Sequence, residues 1–398
     1  MSDETSAHKP ARKSRGRLAR VAWMTGRVLV ALMSAAALAS VGLARDRVET
    51  VRENVSTSDV LTEEIQKTAP PADDGADDYL VVGSDTRTDA QGNLLPASVL
   101  AQLKTEASDG VNTDTIILLR VPKDGAKGYA ISIPRDTYVQ IPGYREDKIN
   151  AAYGATKYRT SQRLVAEGRK DRAEIERISD TEGRSALAQS VQILTGARVD
   201  HYAEVNLYGF YLLTKAIGGV KVCLNHGTSD PNSGANFRKG VQTISGGSAL
   251  AFVRQRDGLP RGDLDRIVRQ QVFLGSAMQQ MLSAGTLTDQ AKLSALTDAA
   301  SKSIVVSPGL DILTLVRHLS SMASGRIDFV TIPVVAVGAR NDRGQSIITV
   351  DLPKVKEFVA GLIGRQAPSF ASKGPLSLNG AVAGRQQPAT VDGVRCVD

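Results

Sequence analysis

The sequence has few of the residues on which metal-dependent or thiol-based catalysis usually depends. Of its 398 residues only two are Cys and four are His, and the histidines are scattered along the chain. Zinc sites need several such ligands at short spacing, so a zinc enzyme is not expected. The chain also lacks a GxxxxGK[ST] loop, an HExxH motif and a Gly-x-Ser-x-Gly elbow. These absences exclude P-loop nucleotide hydrolysis, zincin proteolysis and hydrolase-type acyl transfer.

Aromatic residues are also scarce, and positive charge is concentrated at one end. Aromatics make up 4% of the chain, which argues against base-stacking platforms for nucleic acid. The net charge is +7, but residues 1–27 hold seven Lys and Arg against Asp3 and Glu4. The other 371 residues therefore carry only about +2. A nearly neutral body makes a surface that follows a phosphate backbone unlikely, and no nucleic-acid partner is expected.

The N-terminus has the pattern of a membrane anchor. Residues 28–44 form an uncharged run, VLVALMSAAALASVGLA, that as a helix would span about 25 Å. The basic residues 1–27 before it predict a cytoplasmic N-terminus, so the protein is expected in the cell membrane with its body outside the cytoplasm. A cleaved secretory signal is the alternative, because small residues near Ala37 would suit a signal peptidase.

The two cysteines, Cys223 and Cys396, lie far apart in the chain. In an oxidising compartment an even pair is most simply a disulfide, which would attach the C-terminal tail to the domain. Two unrelated free thiols are the alternative.

Composition divides the rest of the chain into three parts. Residues 45–76 are rich in Glu, Thr, Asp and Ala and predict an extracytoplasmic stalk. Residues 77–365 alternate strand and helix patterns, which predicts an α/β domain with α-β-α layers. Residues 366–398 predict an extended tail. Strands are predicted over 79–82, 115–121, 129–133, 220–224, 328–332 and 346–350, and helices over 185–194, 207–217, 266–282 and 353–363.

Three clusters of acidic and basic residues flank the first predicted strands. Asp85 and Arg87 follow the first strand, Asp114 precedes the second, and Arg135 follows the third. Antiparallel pairing of the second and third strands would bring Asp114 and Arg135 to one sheet edge. Taken singly, each Asp also suits a turn or cap, and each Arg suits a surface ion pair.

A fourth cluster is the most informative. If residues 249–256 are extended, Arg254 and Arg256 point to the same side, about 7 Å apart, a spacing that suits the two phosphates of a pyrophosphate. On the helix that follows, Arg266 and Gln270 share a face. Asp263 or Asp265 would cap that helix, which is the alternative role for these acids. The segment has few carboxylates for its arginines, which indicates an anionic ligand.

Seven motifs occur in order over residues 79–282. They are GSDTR, NTDT, SIPRDTYVQIPG, DKINAAY, AEVNLYGFYLLTKAIGGV, GGSALAFVRQRDG and GDLDRIVRQQ. This set closely resembles the LytR-CpsA-Psr family of cell-wall proteins, and the C-terminal VRC is similar to the tails of actinobacterial members. The resemblance implies an α-β-α domain with a mixed central sheet and an apolar channel for a polyprenyl chain. It also implies a phosphotransferase that moves a glycopolymer from polyprenyl pyrophosphate to a peptidoglycan hydroxyl, forming a phosphodiester.

The resemblance implies roles for the residues that match these motifs. Asp85 and Asp114 are similar to carboxylates that bind Mg²⁺, the implied cofactor. Pyrophosphate binding and catalysis would fall to Arg135, Arg254, Arg256 and Arg266, with Gln270 assisting and with Asp263 orienting a guanidinium or deprotonating the acceptor. Substrate contacts are further expected from Arg87, Lys148 and Arg269. Asn112 is a departure, because many members carry Arg near that position.

Two other functions compete with transfer. A polyprenyl-pyrophosphate hydrolase would use the same arginines and Mg²⁺ with water as acceptor. A non-enzymatic binder or regulator of lipid-linked polymers would need no metal. The expected partners are the lipid-linked glycopolymer donor, peptidoglycan and membrane lipid. No motif in the sequence identifies the transferred polymer. The charge-rich residues 159–184 suit either a solvated helix or a loop that selects the polymer.

Overall fold

The structure is a computed structural model that describes residues 55–71, 75–103, 111–124, 126–281, 289–310, 327–362, 390–391 and 394–398. The predicted cytoplasmic segment and anchor, residues 1–44, lie outside these ranges, as does most of the predicted tail. Within the described ranges, none of the helices has the length and apolar character needed to cross a bilayer.

Strands and helices alternate along the described chain. The strands are β1 (Ser56–Thr57), β2 (Ala76–Ser84), β3 (Thr113–Pro122), β4 (Gly128–Ser132), β5 (Tyr138–Gln140), β6 (Glu146–Lys148), β7 (His201–Asn206), β8 (Val220–Leu224), β9 (Thr228–Asp230), β10 (Ala235–Phe237), β11 (Gly240–Ile244), β12 (Ile304–Val306), β13 (Ile327–Thr331), β14 (Ala336–Arg340), β15 (Ser346–Thr349), β16 (Thr390–Val391) and β17 (Val394–Val397). The helices are α1 (Glu63–Thr68), α2 (Ala97–Gln102), α3 (Ala151–Ala166), α4 (Arg172–Thr195), α5 (Leu207–Ala216), α6 (Gly246–Arg254), α7 (Asp263–Met281), α8 (Gln290–Ser303) and α9 (Leu352–Gly361).

The central sheet has seven strands in the order β1, β12, β7, β2, β3, β4 and β13. Strands β2, β3 and β4 are antiparallel neighbours, whereas β7 runs parallel to β2 and β13 runs parallel to β4. The sheet is therefore mixed, as predicted. The central stretches YLVV of β2 and IILL of β3 are continuously apolar, which is typical of strands covered on both faces.

Side chains alternate between the two faces of this sheet. Leu80 and Leu118 belong to a core that includes Leu187 of α4. Val81 and Ile117 instead line a cavity whose other wall comes from α5, α6 and α7. Helices thus cover both faces, and the predicted α-β-α layering is confirmed.

A smaller sheet, in the order β11, β8, β17 and β16, packs against α6 and α7. Strand β17 runs parallel to β8, and Cys396 stands opposite Cys223 in this register. The two residues form the predicted disulfide. The end of the chain is therefore held both by a covalent bond and by a strand ladder.

The predicted boundary between stalk and domain at residue 77 is wrong. Strand β1 pairs with β12 at the edge of the central sheet, and Val60 and Ile65 are buried. Ser185 of α4 donates its hydroxyl hydrogen to the carbonyl oxygen of Val60 at 2.7 Å. The domain therefore includes residues from 55 onward. Isolated apolar positions in a polar stretch gave no periodic pattern, because the core that they join is built by distant residues.

Candidate active site

A cavity of about 230 Å³ lies between the central sheet and helices α5, α6 and α7. The sheet contributes Val81, Ile117 and Val205 to its wall. The helices contribute further apolar side chains, which are Phe210, Leu213, Ile217, Leu250, Val253, Phe273, Leu274, Ala277, Met278 and Met281. This lining suits an apolar ligand, while a few polar groups at one place can orient it. The polar residues that line the cavity include Asp85, Asp114, Arg254 and Gln270, and we call the surroundings of these four the mouth.

Asp85 reaches the mouth from the end of β2. The register between β2 and β3 shifts between Gly83 and Ser84, and such a bulge re-aims the chain that follows it. The Asp85 N–H donates to the carbonyl of Asn112 at 3.0 Å, and the Asn112 N–H donates to Asp85 Oδ1 at 2.5 Å. Asn112 uses backbone groups for both bonds, so they do not depend on its side chain, whose Nδ2 also donates to Asp85 Oδ2 at 3.5 Å. Burial raises the pKa of Asp85, although Arg87 lies 3.2 Å from its Oδ2.

Asp114 and Arg135 meet at the sheet edge as the sequence predicted. Asp114 lies near the start of β3, Arg135 follows β4, and the two strands are antiparallel. Arg135 donates from Nη1 to Asp114 Oδ1. Burial by itself raises the pKa of Asp114, but the charges of Arg135 and Arg266 outweigh burial and lower this pKa overall. Asp114 is therefore an ionised carboxylate at neutral pH.

Asp263 begins α7 and lies among three arginines. Its Oδ1 is 2.5 Å from Arg266 Nη2, 3.8 Å from Arg135 Nε and 4.0 Å from Arg256 Nε. Arg266 is 2% exposed, and its Nε has no hydrogen-bond partner among the residues that the structure describes. Burial and the neighbouring charge of Arg135 lower the pKa of Arg266. Arg135 has a further carboxylate partner in Asp114, whereas Arg256 and Arg266 share Asp263, and Arg266 Nε remains as a donor for an anion.

The prediction that residues 249–256 are extended is wrong. Helix α6 continues to Arg254 and ends at Gln255. The physical reason is that the segment buries consecutive apolar residues, including Phe252, against the smaller sheet, which a helix does while satisfying its own backbone. Arg254 and Arg256 therefore flank a helix end and do not share one strand face.

Arg254 and Gln270 line the cavity from α6 and α7, respectively. Arg254 donates from Nη1 to the carbonyl of Leu103 at 3.4 Å, and Gln270 donates from Nε2 to the carbonyl of Val253 at 3.2 Å. The structure thus brings both predicted residues to the mouth, where each keeps further hydrogen-bonding capacity.

Lys148 is connected to the mouth through one intervening residue, Asp136. Its Nζ is 3.0 Å from Asp136 Oδ1, and Asp136 Oδ2 is 4.0 Å from Arg135 Nε. Lys148 therefore reaches Arg135 through a carboxylate that the sequence analysis did not single out. The signal for Asp136 was its position directly after Arg135 in the SIPRD motif.

Arg269 makes its contacts with Asp398, Gln255 and Phe252 and not with residues that line the cavity, which does not favour the predicted direct contact with substrate. Its Nε donates to the carbonyl of Asp398 at 2.5 Å, and its Nη1 donates to Gln255 Oε1 at 2.7 Å. The guanidinium also lies over the Phe252 ring, 5.1 Å from its centroid. Successive residues of a helix point about 100° apart, so Arg269 and Gln270 face different sides.

A buried network behind Asp85 also escaped the sequence analysis. Glu204 of β7 accepts hydrogen bonds from Ser84 Oγ at 2.6 Å, Arg184 Nε at 2.8 Å and the Tyr202 hydroxyl at 2.8 Å. Ser84 directly precedes Asp85, so the network fixes the end of β2. An acid inside the otherwise apolar strand pattern AEVNL was the available signal. Arg184 belongs to the charge-rich segment 159–184, which lies within α3 and α4 and the turn between them.

Asp85 and Asp114 are the pair that suits a divalent cation. Both line the mouth, and the charge of Asp114 contributes to the raised pKa of Asp85. In the described part of the chain, no group of three or more His, Cys, Asp and Glu is arranged to hold a metal. Two carboxylates nevertheless fit Mg²⁺, which keeps several waters and commonly binds through one or two carboxylates together with substrate phosphates.

The fold and the site define an α-β-α domain whose apolar cavity opens at an arginine-rich mouth carrying two carboxylates. The LytR_cpsA_psr family model matches residues 45–362, and the chain belongs to this family.

Two relatives agree with this membership, and one solved structure shares the fold. The chain is 48% identical over 298 residues to the cell wall biosynthesis protein LcpA of Corynebacterium glutamicum, covering 75% of this chain and 58% of LcpA. It is 31% identical over 226 residues to the polyisoprenyl-teichoic acid–peptidoglycan teichoic acid transferase TagU of Oceanobacillus iheyensis, covering 57% of this chain and 62% of TagU. The chain thus spans about three fifths of these relatives. Protein gbs0355 of Streptococcus agalactiae shares the fold, with a TM-score of 0.53 at 20% identity over 78% of this chain and 93% of that one.

Proposed function

We propose that this protein is a membrane-anchored, extracytoplasmic phosphotransferase that moves a glycopolymer from a polyprenyl-pyrophosphate carrier to peptidoglycan. The observation that carries the proposal is the continuity of an apolar cavity with a mouth that holds more cations than anions. An amphiphile with a long apolar tail and a pyrophosphate head matches both parts of this site.

The arginines of the mouth bind the pyrophosphate in this proposal. Arg256 and Arg266 approach it from beside Asp263, Arg135 from the sheet edge, and Arg254 from the cavity wall with Gln270. Planar guanidinium groups suit phosphate oxygens because each offers a fork of donors. Asp263 is a positioning residue here, because its carboxylate gathers Arg135, Arg256 and Arg266 around one point.

Asp85 and Asp114 hold Mg²⁺ in this proposal. The ion would neutralise charge on the phosphate oxygens as the transferred group moves. Asp114 suits this role because its lowered pKa keeps it ionised, and Asp85 because two backbone contacts with Asn112 fix its orientation.

The reaction exchanges a phosphoanhydride bond of the donor for a phosphate ester bond to the acceptor. The oxygen of an acceptor hydroxyl attacks the phosphorus attached to the glycopolymer, and an O–P bond forms. The bond between that phosphorus and the bridging oxygen breaks, so polyprenyl phosphate leaves with the bond electrons and the acceptor proton passes to solvent or to the leaving phosphate. The donor supplies the energy, so no nucleotide is needed. Such transfer depends mainly on positioning and charge stabilisation, which arginines provide.

The membrane location follows from the sequence pattern of residues 1–44, which predicts an anchor with a basic cytoplasmic side. The Cys223–Cys396 disulfide supports an oxidising compartment. Two relatives support the proposal by their names. LcpA is a cell wall biosynthesis protein, which supports a role in the cell wall, and TagU is a peptidoglycan teichoic acid transferase, which supports peptidoglycan as acceptor.

The transfer reaction can be tested with the purified full-length chain, Mg²⁺, a synthetic polyprenyl-pyrophosphate oligosaccharide and a peptidoglycan oligomer. Mass spectrometry should detect a phosphodiester-linked conjugate and polyprenyl phosphate in equal amounts, and Arg135→Ala should abolish both. Polyprenyl phosphate without conjugate would instead indicate a hydrolase. Lipid binding without either product would indicate a non-enzymatic binder.

A further inference from the structure

Gln255 is the residue between the two arginines at the end of α6. Its side chain is fully buried, and it makes three side-chain hydrogen bonds. Its Nε2 donates to Thr228 Oγ1 at 2.5 Å and to the carbonyl of Asp257 at 3.0 Å, while its Oε1 accepts from Arg269. The backbone leaves the helix at this residue, with φ −57° and ψ 133°. The side-chain contacts of Gln255 therefore hold the residue that joins Arg254 to Arg256 in the chain.

Arg269 of α7 donates the hydrogen bond that fixes Gln255 Oε1. It is 1% exposed and donates to Gln255 Oε1 at 2.7 Å and to the carbonyl of Asp398 at 2.5 Å. Burial lowers its pKa to about 10, so the guanidinium remains charged at neutral pH. Charge-assisted hydrogen bonds of a buried guanidinium are directional and strong. Arg269 is therefore suited to fix a neighbouring amide in one orientation.

The C-terminal strand completes this arrangement. Asp398 follows β17, which pairs with β8 and is attached to it through Cys223–Cys396. The Asn225 N–H donates to the carbonyl of Val397 at 2.8 Å, which continues the contact toward Asp398. The strand pairing and the disulfide thus fix the position of the main-chain oxygen of Asp398 that accepts the hydrogen bond from Arg269.

We infer that Arg269 is a positioning residue for the donor site: held by the C-terminal strand, it fixes through Gln255 the helix end that carries Arg254 and Arg256. This inference rests on the proposed function, because it assigns to Arg254 and Arg256 the recognition of a pyrophosphate. It also explains why a fully buried arginine stands beside the mouth without facing it.

The experiment measures binding of geranylgeranyl pyrophosphate and geranylgeranyl monophosphate to the purified full-length chain. In wild type the pyrophosphate should bind more tightly than the monophosphate. Arg269→Gln and Gln255→Ala should each raise the Kd for the pyrophosphate about tenfold, as displaced contacts commonly do. The Kd for the monophosphate should change less than twofold. Arg163→Gln is the matched control, because Arg163 lies on α3 and forms an ion pair with Glu167 in which both side chains are exposed.

A double variant of Arg269 and Arg256 distinguishes a positioning role of Arg269 from a general loss of structure. If Arg269 acts through Arg256, adding Arg269→Gln to Arg256→Ala should weaken pyrophosphate binding less than twofold further. Full additivity, or an equal loss for both ligands, would overturn the inference, and so would wild-type affinity in Arg269→Gln and Gln255→Ala. Tm values report folding of each variant. A wild-type chain that binds both ligands equally would overturn the proposed pyrophosphate site itself, and with it the inference.

Discussion

Two groups of arginines in this protein differ in their partners, and the difference between them defines the site. On the central sheet and on α4, Arg120 and Arg184 each have a carboxylate close by, with Arg120 Nε 2.8 Å from Asp78 Oδ1 and Arg184 Nε 2.8 Å from Glu204 Oε2. At the mouth, Asp263 is shared by three arginines. Matched pairs are what a folded interior requires, because an unpaired buried charge is costly. An excess of cations is explained when a ligand supplies the missing negative charge.

The largest expected effect comes from breaking a matched pair. Arg184→Met leaves Glu204 buried without its cation, and removal of one partner from such a pair costs about 3–5 kcal/mol. Urea unfolding of the full-length chain should therefore show a lower free energy of unfolding by about that amount. The double variant with Glu204→Leu should recover part of this loss. An Arg184→Met chain as stable as wild type would remove the contrast between the two groups.

Replacing an arginine of the mouth by Met should leave the free energy of unfolding nearly unchanged and should lower the rate of transfer. Arg266→Met removes one of three cations around Asp263, whose charge Arg135 and Arg256 still balance. The free energy of unfolding should change by less than about 1 kcal/mol, while the rate of transfer falls about 10²–10³-fold, the range seen when a charge-stabilising donor is lost. The transfer assay and urea unfolding measure the two quantities. A large loss of stability in Arg266→Met would show that this arginine is structural.

Inorganic pyrophosphate should stabilise the wild-type chain by occupying the mouth. A ligand that binds only the folded state adds about 2.7 kcal/mol at one hundred times its Kd, which raises Tm. Thermal unfolding in matched ionic strength should show this shift for wild type and a smaller one for Arg266→Met. Chloride at the same ionic strength is the control, and an equal shift with chloride would contradict a specific anion site.

The smallest expected effect is a change in the free energy of unfolding at acid pH. Burial by itself raises the pKa of Glu204, but Arg184 and the hydrogen bonds from Ser84 and Tyr202 lower it below the ordinary 4.5 overall. The stabilisation from this carboxylate is therefore complete above pH 4.5 and is lost as pH falls through the folded-state pKa, by about 1.4 kcal/mol for each unit of difference. Urea unfolding between pH 7 and pH 3 should show less acid sensitivity in Glu204→Gln. Equal sensitivity in both chains would contradict this assignment.

The sequence predicted the elements that depend on local patterns. The strand at residues 220–224 has the predicted bounds, the strands predicted over 79–82 and 115–121 are longer in the structure, and the strand predicted over 129–133 is shifted by one residue. Hairpin pairing alone was enough to place Asp114 beside Arg135. These predictions succeeded because strand alternation and neighbouring pairing are encoded close together in the chain.

The failures involve contacts between distant residues. The apolar run before Arg254 suits a strand or a helix, and packing of Phe252 against the smaller sheet selects the helix. Arg269 resembled its neighbours in the cluster, yet its partners, Gln255 and Asp398, lie 14 and 129 positions away. Ser56 and Thr57 join the central sheet through β12, about 250 residues later. No local pattern specifies such pairings.

The central claim is that the mouth holds the pyrophosphate of a lipid-linked donor. A crystal structure of the full-length chain with geranylgeranyl pyrophosphate and Mg²⁺ tests it most directly. The account predicts the isoprenoid chain between the central sheet and α5–α7, with phosphate oxygens within hydrogen-bonding distance of Arg256 and Arg266. A pyrophosphate bound elsewhere, with these arginines still gathered on Asp263 alone, would contradict it.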